Sequence, residues 1–230
     1  MDDEFLMIPD VVPVFPLSQI VLFPRMIVPL HIYEPRYREM FSDVLAGSRI
    51  VAVALLKPGF EPLYHTPRAP IYTTLGLGQI MESERVAGGN YNVLLRGVGR
   101  ATIVAELPSD ESNASYRQAR VELLDTFCSG DDSRANELRS QLFAAIRGNP
   151  AFDPELRKHW LKLRKADLDL DVLSDLLAAG IPVEAELRQV LFEEVDALER
   201  ARLLLEQVRT LGAIARRQLR VPRLDEYNLN

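Results

Sequence analysis

The hydrophobic pattern changes period near residue 125, and this change limits the architectures open to the chain. Before it, short β-branched runs recur: VVPVFPL (11–17), MIVPLHI (26–32), IVAVALL (50–56), IYTTLGLGQIM (71–81), YNVLLRGV (91–98), RATIVAEL (100–107) and YRQARVELL (116–124). Turn material such as KPGFEP, AGGN and LPSDESN separates them. In RQARVEL polar and apolar residues alternate, as a half-buried strand requires. Six or seven strands in this span, with one helix inserted, predict a small β-barrel or strongly bent sheet.

The inserted helix begins at Pro35, because a proline's missing N–H goes unpaired at a first helical position anyway. Tyr37, Met40, Phe41, Val44 and Leu45 follow helical spacing, and Gly47 is expected to take the left-handed stop. Pro16, Pro24 and Pro29 each remove a ladder donor, which predicts that their strands lie at an edge or bend sharply.

After residue 131 the period is that of helices. ANELRSQLFAAIRG sets Leu138, Leu142, Phe143 and Ile146 on one stripe, and Asp153 is an N-cap candidate before Pro154, with Leu156, Trp160 and Leu163 as the stripe. DVLSDLLAAG ends at Gly180, PVEAELRQVLFEE is a further short helix, and 196–219 is a long one with Leu198, Leu205, Val208 and Leu211 near one face. The expected class is α+β: a β subdomain over 1–127, then a bundle of four or five helices over 131–230, with CSGDDS (128–133) as the hinge.

A chain of 230 residues that is 47 % hydrophobic can bury one large core or two modest ones. Its net charge of −6 is spread over both parts, so a phosphate backbone is a disfavoured partner. The single cysteine, Cys128, excludes an internal disulfide and suits a reducing compartment. The acidic N-terminus lacks the layout of a signal peptide, and no apolar run approaches the length of a membrane span. A cytoplasmic protein without membrane contact is expected.

Chemistry is sparse. His31, His65 and His159 have no Cys or His at ligand spacing, so no metal site is expected, and His31 reads as a satisfied or surface-facing histidine. GLGQI (76–80) and RGVGR (96–100) lack a phosphate-loop pattern and interrupt strands, where bulges or tight corners explain glycine better. Cys128 has no base near it in sequence, the serines lack a nucleophile elbow, and no cofactor is implied. The tail RRQLRVPR (216–223) is basic enough to touch an acidic partner, but cations at a helix C-terminus also stabilise its dipole, and that reading is preferred.

The opening stretch FPLSQIVLFPRMIVPLHIYEPRYREMF resembles the start of the Lon N-terminal (LON) domain family. Its pattern is met by Pro16, Leu17, Val21, Leu22, Phe23, Pro24, Pro29, Leu30, His31, Ile32, Glu34, Arg36 and Tyr37, with Tyr33 in the aromatic slot. The similarity continues through TTLGLGQIME, YNVLLRGVGRATI and SDLLAAGIPVEAELRQVLFEEVDALERARLLLEQV. It implies a PUA-like β structure followed by a helical bundle, the region that helps Lon proteases recognise polypeptide substrates ahead of their ATPase and Ser-Lys peptidase. With no Walker A loop and no peptidase segment before Asn230, the expected form is a stand-alone bacterial, non-catalytic substrate-recognition module. Where many stand-alone members have glycine after the second Phe-Pro, this chain has Arg25, expected as a surface residue in a tolerant turn.

The first functional expectation is therefore capture of unfolded or exposed apolar polypeptide segments, by β-addition to a proline-interrupted edge beside apolar side chains. Tyr33, Glu34, Arg36 and Tyr37 are the candidate peptide contacts. Their alternative roles are Glu34 as helix cap, Tyr37 as core and Arg36 as a solvated ion-pair partner. A Lon-type protease acting in trans and a second copy paired through 196–219 remain open as partners. RNA binding through the PUA-like half and small-molecule binding are the alternatives.

Overall fold

A computed structural model describes residues 7–66, 69–108 and 114–219, together with the backbone of Arg220. The expected turn at 107–113 falls mostly outside these residues, as do the acidic N-terminal stretch and Arg223 of the basic tail. The chain divides into two units, one running to Asp125 and taking in Val183–Glu193, the other comprising Thr126–Pro182 and the chain from Glu194 onward.

The first unit holds β1 (Val11–Leu17), β2 (Ile27–Ile32), helix α1 (Pro35–Ala46), β3 (Ile50–Leu55), β4 (Thr74–Arg85), β5 (Tyr91–Glu106) and β6 (Arg117–Leu124). The strand order is β2-β5-β4-β3-β1-β6, and β6 pairs again with β5, so β5-β4-β3-β1-β6 closes on itself. One edge of β5 serves two partners: Tyr91–Arg96 takes β2, and Arg100–Glu106 takes β6. The two runs expected at 91–98 and 100–107 are therefore one strand, not broken by RGVGR.

β3, IVAVAL, is apolar throughout because both its faces are covered. Val51 and Val53 join Phe15, Tyr37, Met40, Phe41 and Val44 in the core beneath α1, while Ile50, Ala52 and Ala54 join Val12, Val14, Leu75 and Leu77 in the other. The helical spacing read from Tyr37 to Val44 is thus the buried stripe of α1. Its stop is not Gly47, whose φ is −127°, but Arg49, which takes φ +59° and donates its N–H to Val44 O at 2.9 Å. The Arg49 guanidinium secures that conformation by donating to Ile80 O (3.1 Å).

The glycines of GLG and RGVG answer a crossing of chains. A Cβ on Gly97 would sit 2.0 Å from Phe23 O, and one on Gly76 2.2 Å from Leu22 O, so segment 22–23 passes over β4 and β5 where only glycine leaves room. A bulge between Leu77 and Gly78 accompanies it. The prolines divide. Pro24 lies in the turn between β1 and β2, and Pro29 lies in β2 at the end of the sheet. Pro16 is in an interior strand, which corrects the expectation of an edge; it is accommodated because the pairing of β1 with β6 ends at Val14.

Helix α5 (Ala185–Glu193) belongs to this unit as well. Phe192 packs edge-on against Phe23 (5.1 Å between centroids), Arg100 Nε donates to Phe192 O (2.8 Å), and Gln189 Nε2 donates to Thr74 O (2.9 Å). The sequence reading placed this helix in the bundle; its period shows an apolar face but not which core that face fills.

The second unit holds α2 (Asp132–Arg147), α3 (Pro154–Leu163), α4 (Leu170–Gly180) and α6 (Ala197–Arg220). Asp131 caps α2 by accepting the Arg134 N–H, and Asp153 caps α3 by accepting those of Glu155 and Leu156. α6 buries Leu198, Leu204, Leu205 and Val208, and Arg200 within it pairs with Asp175 of α4 at 3.0 Å, both fully buried. Beyond Gly212 the helix surfaces, with Ile214, Arg216, Arg217 and Leu219 exposed.

Candidate functional site

β2 pairs with β5 alone among the described strands. Met26 O accepts the Gly97 N–H at 2.8 Å, and the antiparallel alternation that follows turns the amides of Val28, Leu30 and Ile32 toward β5 and those of residues 27, 29 and 31 outward. Pro29 thus removes a donor from the middle of the outer edge. Side chains alternate in the same way: Ile27, Pro29 and His31 are exposed, while Val28 and Ile32 are buried.

Register carries this exposed row across three strands. Ile27 stands beside Arg96 and Gln79, Pro29 beside Leu94 and Glu82, and His31 beside Asn92 and Glu84. A bulge at Met81 between Ile80 and Glu82 sets the two glutamates on this face. Pro29, His31, Leu94, Asn92, Glu82 and Glu84 line an open cleft of about 450 Å³. Polar side chains of this face are paired: in the cleft His31 Nδ1–H donates to Asn92 Oδ1 (2.7 Å), and one row outside it Arg96 donates to Gln79 Oε1 (2.9 Å). Glu82 and Glu84 are exposed and form no ion pair among the described residues. Ile27, one row from Pro29 on this face, is 57 % exposed, and Met81 at the bulge is 43 % exposed.

The four sequence candidates do not form one surface. Tyr33 is 63 % exposed and stacks on His31 with 6.3 Å between ring centroids, so it continues the Ile27-Pro29-His31 row. Glu34 precedes α1 as its N-cap residue without a side-chain capping bond; its carboxylate instead accepts from Arg36 (3.2 Å). Arg36 donates on to Tyr64 O (2.8 Å) and lies over the Tyr37 ring at 4.4 Å, an interior tie and not a solvated pair. Tyr37 is 3 % exposed and edge-packed on Phe15 at 4.5 Å, which removes it from any binding surface. Burial pushes its phenol above the usual range against the opposing charge of Arg36, so it stays neutral.

Sequence reasoning missed Ile27, Leu94, Glu82 and Glu84. The alternation of Ile27, Pro29, His31 and Tyr33 is legible in MIVPLHIY, but Glu82 and Glu84 join this face only through strand register and a bulge. Among the described residues, no three His, Cys, Asp or Glu side chains are placed to hold a metal, and no helix is long and apolar enough to cross a membrane.

The family described as the ATP-dependent protease La (LON) substrate-binding domain matches over residues 11–210. The chain is 27 % identical to Lon protease 2 of Myxococcus xanthus over 199 residues, and 25 % identical to the Lon protease of Anaeromyxobacter dehalogenans over 199. Each match covers 86 % of this chain and 23 % of the relative, so the chain spans about a quarter of the length of these proteases. Among solved structures, the N-terminal domain of Mycobacterium avium complex Lon protease superposes with a TM-score of 0.64 at 21 % identity, covering 86 % of this chain and 97 % of that one. A Lon N-terminal domain protein from Xanthomonas campestris gives 0.56 at 19 % identity, with 85 % and 97 % covered. The fold is that of these N-terminal domains: a PUA-like β unit with helices.

Proposed function

Because the chain belongs to the LON substrate-binding domain family, we propose that it captures exposed apolar segments of unfolded polypeptide on the outer face of β2-β5-β4 and carries out no chemistry of its own. The observation that supports this most is the exposed row Ile27, Pro29, His31, Tyr33 bordering the cleft over Leu94. Large apolar side chains held rigidly by strand pairing can bury area with little loss of their own entropy. Contact is through this side-chain face in preference to β-addition, because Pro29 deprives an added strand of a donor at the centre of the edge. The reading extends to a role in protein quality control in the cytoplasm, with captured segments passed to a Lon-type protease.

The RNA alternative has less support. Arg96 on this face is engaged by Gln79, and two glutamates stand in the rows that follow, so a phosphate backbone meets net repulsion.

Fluorescence anisotropy of a labelled, permanently unfolded polypeptide tests the proposal, with folded protein and single-stranded RNA as competitors. Saturable binding that neither competitor displaces is expected, weakened at least about five-fold by Ile27→Ser with Tyr33→Ala, the loss of about 1 kcal/mol that exposed anchors supply. The two changes should leave the melting temperature nearly unchanged, since both side chains are exposed. Binding of RNA alone, steeply weakened by salt, would overturn it.

A further inference from the structure

We infer that the segments held on this face are cationic as well as apolar: an extended stretch in which a Lys or Arg lies two residues from a large apolar side chain. This rests on the capture reading above and names its substrate class.

Among the described residues the carboxylates lining the cleft are Glu82 and Glu84, on its β4 side, and both are exposed and without an ion pair. Among the described residues no Lys or Arg lines the cleft, and His31, the basic side chain there, is hydrogen bonded to Asn92. Arg96 stands one row away and is turned to Gln79, and the Arg49 guanidinium is engaged by the carbonyls of Ile80 and Met81. Among the described residues the site therefore presents two carboxylates without an ion pair next to exposed apolar surface.

Register fixes the distances. Successive side chains on one face of a strand are about 6.6–6.8 Å apart, the rise of two residues. The apolar positions Pro29 and Leu94 share a row with Glu82, and the next row carries Glu84. An extended segment lying over β5 with its apolar side chain on Leu94 brings the side chain two positions along to the row of Glu84. Neighbouring strands are about 4.8 Å apart, so a long, flexible Lys or Arg above β5 reaches a carboxylate on β4. From a strand added outside β2 it would have to span about three such spacings, which agrees with face contact and not edge addition.

Three ten-residue peptides with identical apolar residues, differing only in Lys, Gln or Glu at the positions two from each apolar residue, give the test by anisotropy at low salt. The Lys peptide is expected to bind roughly three- to ten-fold more tightly than the Gln peptide, and the Glu peptide more weakly than either, as for partly exposed charge pairs. Raising salt to about 0.5 M should compress these differences, because exposed charges are screened there beyond a few ångströms. The variant Glu82→Gln with Glu84→Gln should bind all three peptides like the Gln peptide on the wild-type protein. Equal affinity of the Lys and Glu peptides for the wild-type protein would overturn the inference and leave apolar capture standing. A Lys preference that survives the double substitution overturns it too, since the cation would then be read elsewhere. If none of the three binds, the capture reading falls and this inference with it.

Discussion

Arg25 stands in the turn before β2 with φ +68°, where a Cβ crowds the following carbonyl. The sequence reading expected a tolerant turn; the side chain is indeed exposed, but the backbone sits in the region that favours glycine. Its N–H donates to Gly97 O at 2.8 Å, so the pairing of this turn with β5 holds the conformation in place. Arg25→Gly is expected to stabilise by about 0.5–1 kcal/mol, the relief of about 1–2 less the entropy a glycine adds to the unfolded chain. The melting temperature should rise by about 2 °C by calorimetry, and Arg25→Ala, which keeps the Cβ, should show no such gain. At this scale position alone was misleading. Tyr33 and Tyr37 are four residues apart and equally aromatic, yet one is on the surface and the other is core, because one continues a strand's exposed row and the other faces the sheet from α1.

At the scale of elements, β4 and β5 stay paired while another part of the chain crosses them, and glycines make that geometry available. Gly97→Ala would drive a Cβ to 2.0 Å from Phe23 O and should cost at least about 3 kcal/mol in urea unfolding, since backbone cannot move aside cheaply. Gly99→Ala, two residues along the same strand with open space around it, should change stability by less than about 1 kcal/mol. Equal costs at the two positions would mean that the crossing does not constrain the strand. The start of α6 makes a second case. Burial pushes the Asp196 carboxyl up, but the Ser129 hydroxyl and N–H and the backbone N–H groups of Leu198 and Glu199 outweigh it, and its pKa falls below the ordinary 3.8. A depressed carboxylate contributes stability that is complete above about 3.8 and lost as pH falls through the folded-state value. Asp196→Asn, which keeps the capping acceptor, should flatten this part of the acid limb, whereas Asp196→Ala should cost about 1 kcal/mol at neutral pH.

At the scale of the molecule, the chain leaves the β unit at Asp125, returns for Val183–Glu193 and leaves again. Residues 1–125 alone therefore lack the helix that places Phe192 against Phe23 and receives Arg100. Such a fragment is expected to melt below the same fragment with a 183–193 peptide supplied in trans, and Phe192→Ala in that peptide should abolish the rescue. No difference on adding the wild-type peptide would show that α5 is not part of the β unit's stability. Local pattern suffices for the positions of most strands, the buried stripe of α1, the cap at Asp153 and the change from sheet to helices, because period and capping chemistry are properties of neighbours along the chain. Pattern also made the row Ile27, Pro29, His31, Tyr33 readable. Long-range packing is what makes β5 one strand shared by β2 and β6, brings α5 to the β unit, and sets Glu82 beside Leu94 and Glu84 beside Asn92. Those facts depend on register, on a bulge and on which apolar faces meet, and residues far apart in the chain set them only when they come together.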